Sequence, residues 1–200
     1  MRYAALRRAH AREEWGEEAA LLMLQRLQAM APLHVMEVIW GAMHLRRRFH
    51  LCDEPPPRDL TSSARAIVFK DGDVLVVRGT AGDTHIWPGG RREGGESLEE
   101  TMRREVLEET GWALADARPF GIIHFTHLTE RPVDYPYPYP DFRQAVFIAE
   151  AAEFRRGAIV RDGWEAGSEL VPVPSALTQI DADLREILTK AIAARRRPSD

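Results

Sequence analysis

Four glutamates within one short stretch have the types and spacing to do chemistry. Residues 90–112 read GRREGGESLEETMRREVLEETGW and include Glu96, Glu105, Glu108 and Glu109. Ser97 followed three residues later by Glu100 is a capping-box signature, so a helix is expected to start there. Gly111 supplies the left-handed residue that ends many helices, so the helix is expected to stop there. Between these ends Arg104, Glu105, Glu108 and Glu109 fall at i, i+1, i+4 and i+5. At roughly 100° per residue, the last three share an arc of about 100°. Carboxylates crowded in this way repel one another unless positive charge sits among them, and a hard divalent cation that takes oxygen ligands is the natural counter-charge. The competing reading is an exposed helix carrying ordinary Glu/Arg pairs. The register of Gly90, Glu96, Arg104 and Gly111 with the three glutamates weighs against it.

That register resembles the Nudix box, G-x5-E-x7-R-E-U-x-E-E-x-G-U, where U is a bulky aliphatic residue. Gly90, Glu96, Arg104, Glu105, Val106, Glu108, Glu109 and Gly111 fill their places, and Trp112 stands at the final U as a larger apolar residue. The resemblance extends over about residues 62–194. It implies an α/β fold, a Nudix-type α/β/α sandwich with a mixed sheet. The implied reaction is hydrolysis of a nucleoside diphosphate linked to another group, with Mg²⁺ or Mn²⁺ as cofactor. The chemistry agrees: a diphosphate is multiply anionic, so attack by water requires charge neutralisation and an activated water.

By the family's pattern Glu105, Glu108 and Glu109 are metal ligands, and one of them doubles as base. Arg104 orients a neighbouring glutamate through charge-assisted hydrogen bonds. Glu96 lies near the metals as an outer ligand or anchor, and a carbonyl of Gly89 or Gly90 completes the set. The family often adds a carboxylate from a later loop, for which Glu165 is the first candidate and Glu169 the second. Marks that separate family subgroups, a proline about fifteen residues past the box or a tyrosine one further, are replaced by His127 and Leu128. Arg143, Tyr137 and Tyr139 are candidate substrate contacts.

These residues need elements to hold them. Ala64 to Lys70, the turn Asp71-Gly72 and Val74 to Val77 read as a β-hairpin. Trp87-Pro88-Gly89-Gly90 then lets backbone come close to a ligand. Past the box, Ala117 to His127 and Arg143 to Ala151 read as strands, Leu170 to Val173 as a short edge strand, and Asp183 to Ala194 as a final helix that a basic run, Arg195 to Arg197, suits at its C-terminus. Residues 129–141, TERPVDYPYPYPD, hold four prolines and three tyrosines and read as a stiff loop. Their rings are candidates for stacking on a nucleobase.

Ahead of this domain, residues 1–50 read as an N-terminal helical extension. One helix spans Glu13 to Met30, striped by Trp15, Ala19, Leu22, Arg26 and Ala29; a second begins at Pro32 and is striped by Met36, Ile39, Trp40 and Met43. A stripe this wide seeks cover from the main domain or from another subunit, as in a homodimer through the N-terminal helices. Arg46-Arg47-Arg48 is read as a solvated helix end. Residues 51–61, with three consecutive prolines, read as a linker, and 62–200 as the hydrolase domain.

Composition narrows the function. A formal net charge of −4 gives no ground for general nucleic-acid affinity and disfavours RNA decapping. Cys52 is the single cysteine, which fits a reducing, cytoplasmic setting. Ala19 to Leu24 is too short an apolar run to span a bilayer, and no signal-peptide order is present, so no membrane partner is expected. The expected partner is a small nucleotide diphosphate substrate. Two alternatives stand beside the metal-dependent hydrolase. A catalytically idle Nudix-fold binding or regulatory module commonly lacks box glutamates, all of which are kept here. An isomerase on this fold would want a cysteine in its site, whereas Cys52 falls in the proline linker.

Overall fold

The computed structural model describes residues 22, 25–135, 138–160 and 165–195. The chain divides into two compact units, the first of residues 1–62 and 121–145, the second of residues 63–120 and 146–200.

In the first unit, strands β1 (His34–Trp40) and β2 (Met43–Leu51) form an antiparallel hairpin. Gly41 turns it with φ +60°, a conformation glycine adopts without penalty. β2 continues antiparallel onto the C-terminal part of β7 (Trp112–His127), with Leu45 opposite His127 and Leu51 opposite Gly121. Leu45, Phe49, Ile123 and Phe125 are buried from one face of this pairing, while Leu27, Cys52 and Ile122 gather with Met30 in another cluster. Residues 25–29 are helical, as expected.

The second N-terminal helix expected from the sequence is instead this hairpin. Met36, Ile39, Trp40 and Met43 suit a 3.6-residue period, yet Met36, Val38 and Trp40 suit a period of two equally well. The β-branched Val35, Val38 and Ile39 tip the balance to strand, and Gly41 breaks any helix at the turn. The arginine triplet is corrected with it. It lies in β2, where Arg46 and Arg48 share one face and Arg47 takes the other, and Arg46 pairs with Glu37 at 3.0 Å. The first expected helix otherwise falls largely outside the described residues.

In the second unit β3 (Thr61–Lys70) and β4 (Asp73–Gly79) form the expected hairpin, with Asp71 at φ 52° in its two-residue turn. β4 also pairs antiparallel with β5 (Thr84–His85) and with β9 (Glu165–Pro172), and β3 with β6 (Gly89–Arg91). Residues Ala66 to Phe69 and Val74 to Val77 are fully buried one after another, so both faces of these strands are covered. The covering helices are α1 (Leu98–Thr110), α2 (Val173–Gln179) and α3 (Ala182–Arg195). They bury Met102 and Val106 from α1, Ala176 from α2, and Leu184, Ile187, Leu188 and Ala191 from α3. β8 (Asp141–Phe154) is longer than its apolar centre suggests, and α2 begins at Val173, where an edge strand was expected to end. Pro174 in the first turn of α2 is the signal for that start. Among the described residues no helix is long and apolar enough to cross a membrane.

Gly111 ends α1 at φ 79°, as its place in the sequence requires. A Cβ there would lie 2.8 Å from the Phe154 ring and 3.1 Å from Ile159. Gly111→Ala is therefore expected to destabilise the protein by about 1 kcal/mol or more, through conformation and clash together. Urea unfolding checks this; an unchanged midpoint would show that the αL cap is dispensable.

Candidate active site

Helix α1 starts where the sequence places it, because Ser97 and Glu100 cap each other's backbone. Glu100 N–H donates to Ser97 Oγ at 3.2 Å, and Ser97 N–H donates to Glu100 Oε2 at 2.8 Å. This fixes the rotation of the helix, and with it the side on which Arg104, Glu105, Glu108 and Glu109 emerge.

Arg104 is the hub of the cluster. Nε donates to Glu96 Oε1 at 2.7 Å and Nη2 to Glu96 Oε2 at 3.0 Å, a bidentate grip. Nη2 also donates to the Arg91 carbonyl at 2.9 Å. Nη1 donates to Glu105 Oε1 at 2.9 Å and to Glu108 Oε2 at 3.0 Å. Glu96 is anchored further by Thr101 Oγ1 and by the Glu93 N–H, each at 3.0 Å. The Arg104 bonds hold the Glu96 carboxyl down at about 2, and those same bonds, Glu96 first, raise Arg104 further above its ordinary range. By contrast Arg103–Glu99, at 2.8 Å, is an ordinary i,i+4 surface pair.

The glutamates differ in setting. The Glu105 side chain is 16% exposed and that of Glu108 39%, so Glu108 is the more open to a ligand. Burial raises the carboxyl of Glu105, opposed by Arg104. Burial also raises Glu109 to about 7, opposed by a 2.9 Å hydrogen bond from the Gly89 N–H and by Arg65, and reinforced by the charges of Glu165 and Glu105.

Gly90 acts through what it lacks. A Cβ on it would lie 2.3 Å from Glu105 Oε2, so the carboxylate rests on the bare backbone of β6. Gly89, at φ 140°, would place a Cβ 2.3 Å from the Ala64 carbonyl of β3. Both glycines are thus set by close approach, one to a strand and the other to a carboxylate.

Of the residues singled out from sequence, Gly90, Glu96, Arg104, Glu105, Glu108 and Glu109 come together. Glu165 opens β9 opposite Gly79, and its charge bears on both Glu109 and Arg65. Glu169 is instead ion-paired with Arg78, which also bonds Gln179 at 3.2 Å. Arg143 and Tyr139 belong to the first unit. Arg143 is 2% exposed, and the Tyr139 hydroxyl donates to the Thr129 carbonyl at 2.9 Å. Tyr137 lies outside the described residues. Arg65 was missed. It donates to the Trp87 carbonyl at 3.2 Å, and burial lowers its pKa against the pull of Glu109, Glu105 and Glu165. A lone arginine inside the apolar run of β3 was the available signal.

Among the described residues no three carboxylate, imidazole or thiol groups form a ready-made metal cage. The donor set still suits a hard cation. It consists of carboxylate oxygens beside a backbone with no side chain in the way, and two of the carboxyls are held above their ordinary range by burial.

An α/β fold that displays a helix of glutamates beside a Gly-Gly strand defines a class, and similarity to known proteins defines the family. The family model described as the NUDIX domain matches residues 59–191, more than half of the chain, so the chain belongs to the Nudix family. The fold class, α/β with a mixed sheet and helices, is that of its solved members. The pyrophosphohydrolase BsRppH of Bacillus subtilis, in a mutant form, aligns with a TM-score of 0.56 and 17% identity over 80% of this chain and 96% of that one. A NUDIX hydrolase from Nitrosomonas europaea aligns with a TM-score of 0.51 and 22% identity over 69% and 93%. At these identities the likeness concerns fold alone. No curated protein matches the chain.

Two outcomes are expected of this site. Gly90→Ala must push the Glu105 carboxylate aside while leaving the fold in place; any divalent-cation binding to the full chain should weaken with little change in melting temperature, and unchanged binding would detach Glu105 from the Gly90 backbone. Glu96 binds its proton at about 2 in the folded protein against an ordinary 4.5, so it contributes stability that is complete above 4.5 and is lost as pH falls toward 2. Glu96→Gln should flatten the stability profile in that window alone, as followed by chemical denaturation at stepped pH. An unaltered slope would show that the Arg104 grip does not set that ionisation.

Proposed function

We propose that the chain is a divalent-metal-dependent pyrophosphohydrolase that cleaves the diphosphate linkage of a nucleoside diphosphate derivative. The observation that supports this best is the joining of Glu96, Glu105 and Glu108 through one guanidinium, beside Glu109 and a side-chain-free Gly90. Such a surplus of carboxylate, packed against bare backbone, is suited to cations rather than to a salt-bridged surface.

Glu105, Glu108 and Glu109 are the ligands in this reading, with Glu96 and the Gly90 carbonyl at the margin and Mg²⁺ or Mn²⁺ as the ion. The bound ion supplies neutralisation of phosphoryl charge and a water of lowered pKa. Arg104 keeps Glu105 and Glu108 aimed, and its bidentate hold on Glu96 prevents the arginine from turning toward substrate. Glu165, whose charge reaches Glu109, is the candidate to accept the proton of the attacking water. The ordinary place for such chemistry is a reducing cytoplasm, with which a single buried cysteine agrees.

A panel of nucleoside diphosphate derivatives, incubated with Mg²⁺ or Mn²⁺ and followed by phosphate release after a phosphatase step, tests the reading. Glu108→Gln is expected to lower turnover by roughly a hundredfold or more, because a neutral amide is a poor ligand for a hard cation, while the melting curve stays close to that of the native chain. No release from any compound with either ion, together with metal-independent nucleotide binding, would make the chain a binding module instead.

A further inference from the structure

Strand β1 ends the strand order of the sheet. It pairs with β2 on one side and, among the described residues, with no strand on the other. The backbone N–H and C=O groups along such an open side are a template for one more strand, and protein edges are ordinarily blunted by proline, lysine, a bulge or short length. His34–Trp40 has none of these guards: seven residues run in unbroken register with β2, without proline or lysine. Its one acidic residue, Glu37, is held within its own chain, 3.0 Å from Arg46 Nη2 and 3.0 Å from His44 Nε2. Apart from His34 the other side chains are apolar, and Val35, Ile39 and Trp40 are exposed, Ile39 at 73%.

The pattern of the strand says what completes it. Antiparallel pairing about a two-fold axis matches an edge to itself and gives a closed dimer. Three registers keep like faces together, centred on Met36, Glu37 or Val38. Centring on Glu37 sets two carboxylates directly opposite each other, which destabilises a strand pair. Centring on Met36 leaves Ile39 and Trp40 beyond the partner strand, opposite Leu33 and Pro32. Centring on Val38 sets Val38 against its own copy and Met36 against the partner's Trp40, a sulfur–aromatic contact. On the other face it sets Ile39 against the partner's Glu37, whose charge is already met by Arg46 and His44. This register covers Ile39 and Trp40, which the single chain leaves exposed, and puts no two like charges opposite.

We propose that β1 is a dimerisation edge, at which two copies of this chain pair antiparallel about an axis through Val38. Five residues a side is small beside the roughly 20–30 of a standard interface, so the dimer is a weak one that dissolves on dilution. The pairing uses no glutamate of α1, and its fate is separate from that of the hydrolase reading.

Light scattering of the full chain over a concentration series tests the proposal, with dimer expected above roughly 10 µM. Ile39 is exposed enough to carry a charge without loss of the fold, which circular dichroism verifies. Ile39→Asp meets the partner's Glu37 and should weaken dimerisation about tenfold or more, whereas Ile39→Lys meets an opposite charge and should dimerise at least as well as the native chain. Association through apolar surface alone would be weakened by both. Val38→Cys, beside its own copy at the axis, should form a disulfide-linked dimer on mild oxidation, and Val35→Cys, opposite the partner's Gly41, should not. The native Cys52 is buried and leaves that comparison clean. The proposal is overturned if Ile39→Asp and Ile39→Lys act alike, or if Val35→Cys cross-links as readily as Val38→Cys. A chain that stays monomeric up to about 1 mM overturns it too, and gives the edge to a strand of another protein or to residues 1–21.

Discussion

One guanidinium with every N–H in use is the interaction on which the glutamate cluster depends. Arg104 has five donors, and they go to two oxygens of Glu96, one of Glu105, one of Glu108 and the Arg91 carbonyl. A lysine would present a point charge with three donors and could not span these acceptors. Two of the bonded groups, the Arg91 carbonyl at the end of β6 and Glu96 in the loop that follows, precede the helix, so the same side chain that orders the glutamates also fastens the approach to them. Burial raises the carboxyls of Glu105 and Glu109, and the charges of neighbouring carboxylates, Glu108 on the first and Glu165 and Glu105 on the second, add to it.

The parts of this arrangement that are legible in the sequence are those set by short-range rules. The capping box and the αL glycine each involve residues within a few positions of one another, so Ser97, Glu100 and Gly111 declare the helix and its rotation without reference to the rest of the chain. The Asp71-Gly72 turn is readable for the same reason. Arg65 is different. Its meaning comes from Glu105, Glu109 and Glu165, which reach it only through tertiary structure. Glu169 shows the reverse case: a loop glutamate by sequence, it is claimed by Arg78 once β9 pairs with β4.

The N-terminal misreading has a similar origin. Over His34 to Met43 the apolar residues are dense enough to satisfy two periods, and amphipathic pattern alone cannot choose between them. Selection comes from partners far away in sequence. β2 is held by residues 121–127 of β7, where Phe49 lies over Gly121 so closely that a Cβ there would be 2.6 Å from the ring. The close fit of β2 on β7 therefore depends on a glycine some seventy residues distant, a constraint that no window of local sequence contains.

Close approach of backbone also makes the Gly89-Gly90 pair matter more than its flexibility suggests. Side chains normally keep neighbouring elements apart by their own thickness. Gly89 removes that spacing between β6 and the backbone of β3, and Gly90 removes it between β6 and the carboxylate of Glu105. β6 is consequently a thin wall, with strand backbone on one side and a glutamate on the other. Its Gly89 N–H donates to Glu109, and its Arg91 carbonyl accepts from Arg104. Helix and strand are thus joined through polar groups on both sides of the bare segment, and backbone supports the carboxylates that the Arg104 side chain orders. Backbone is the less mobile support, since it has no rotamers to exchange, and a cluster of like charges needs such a support if it is to stay gathered.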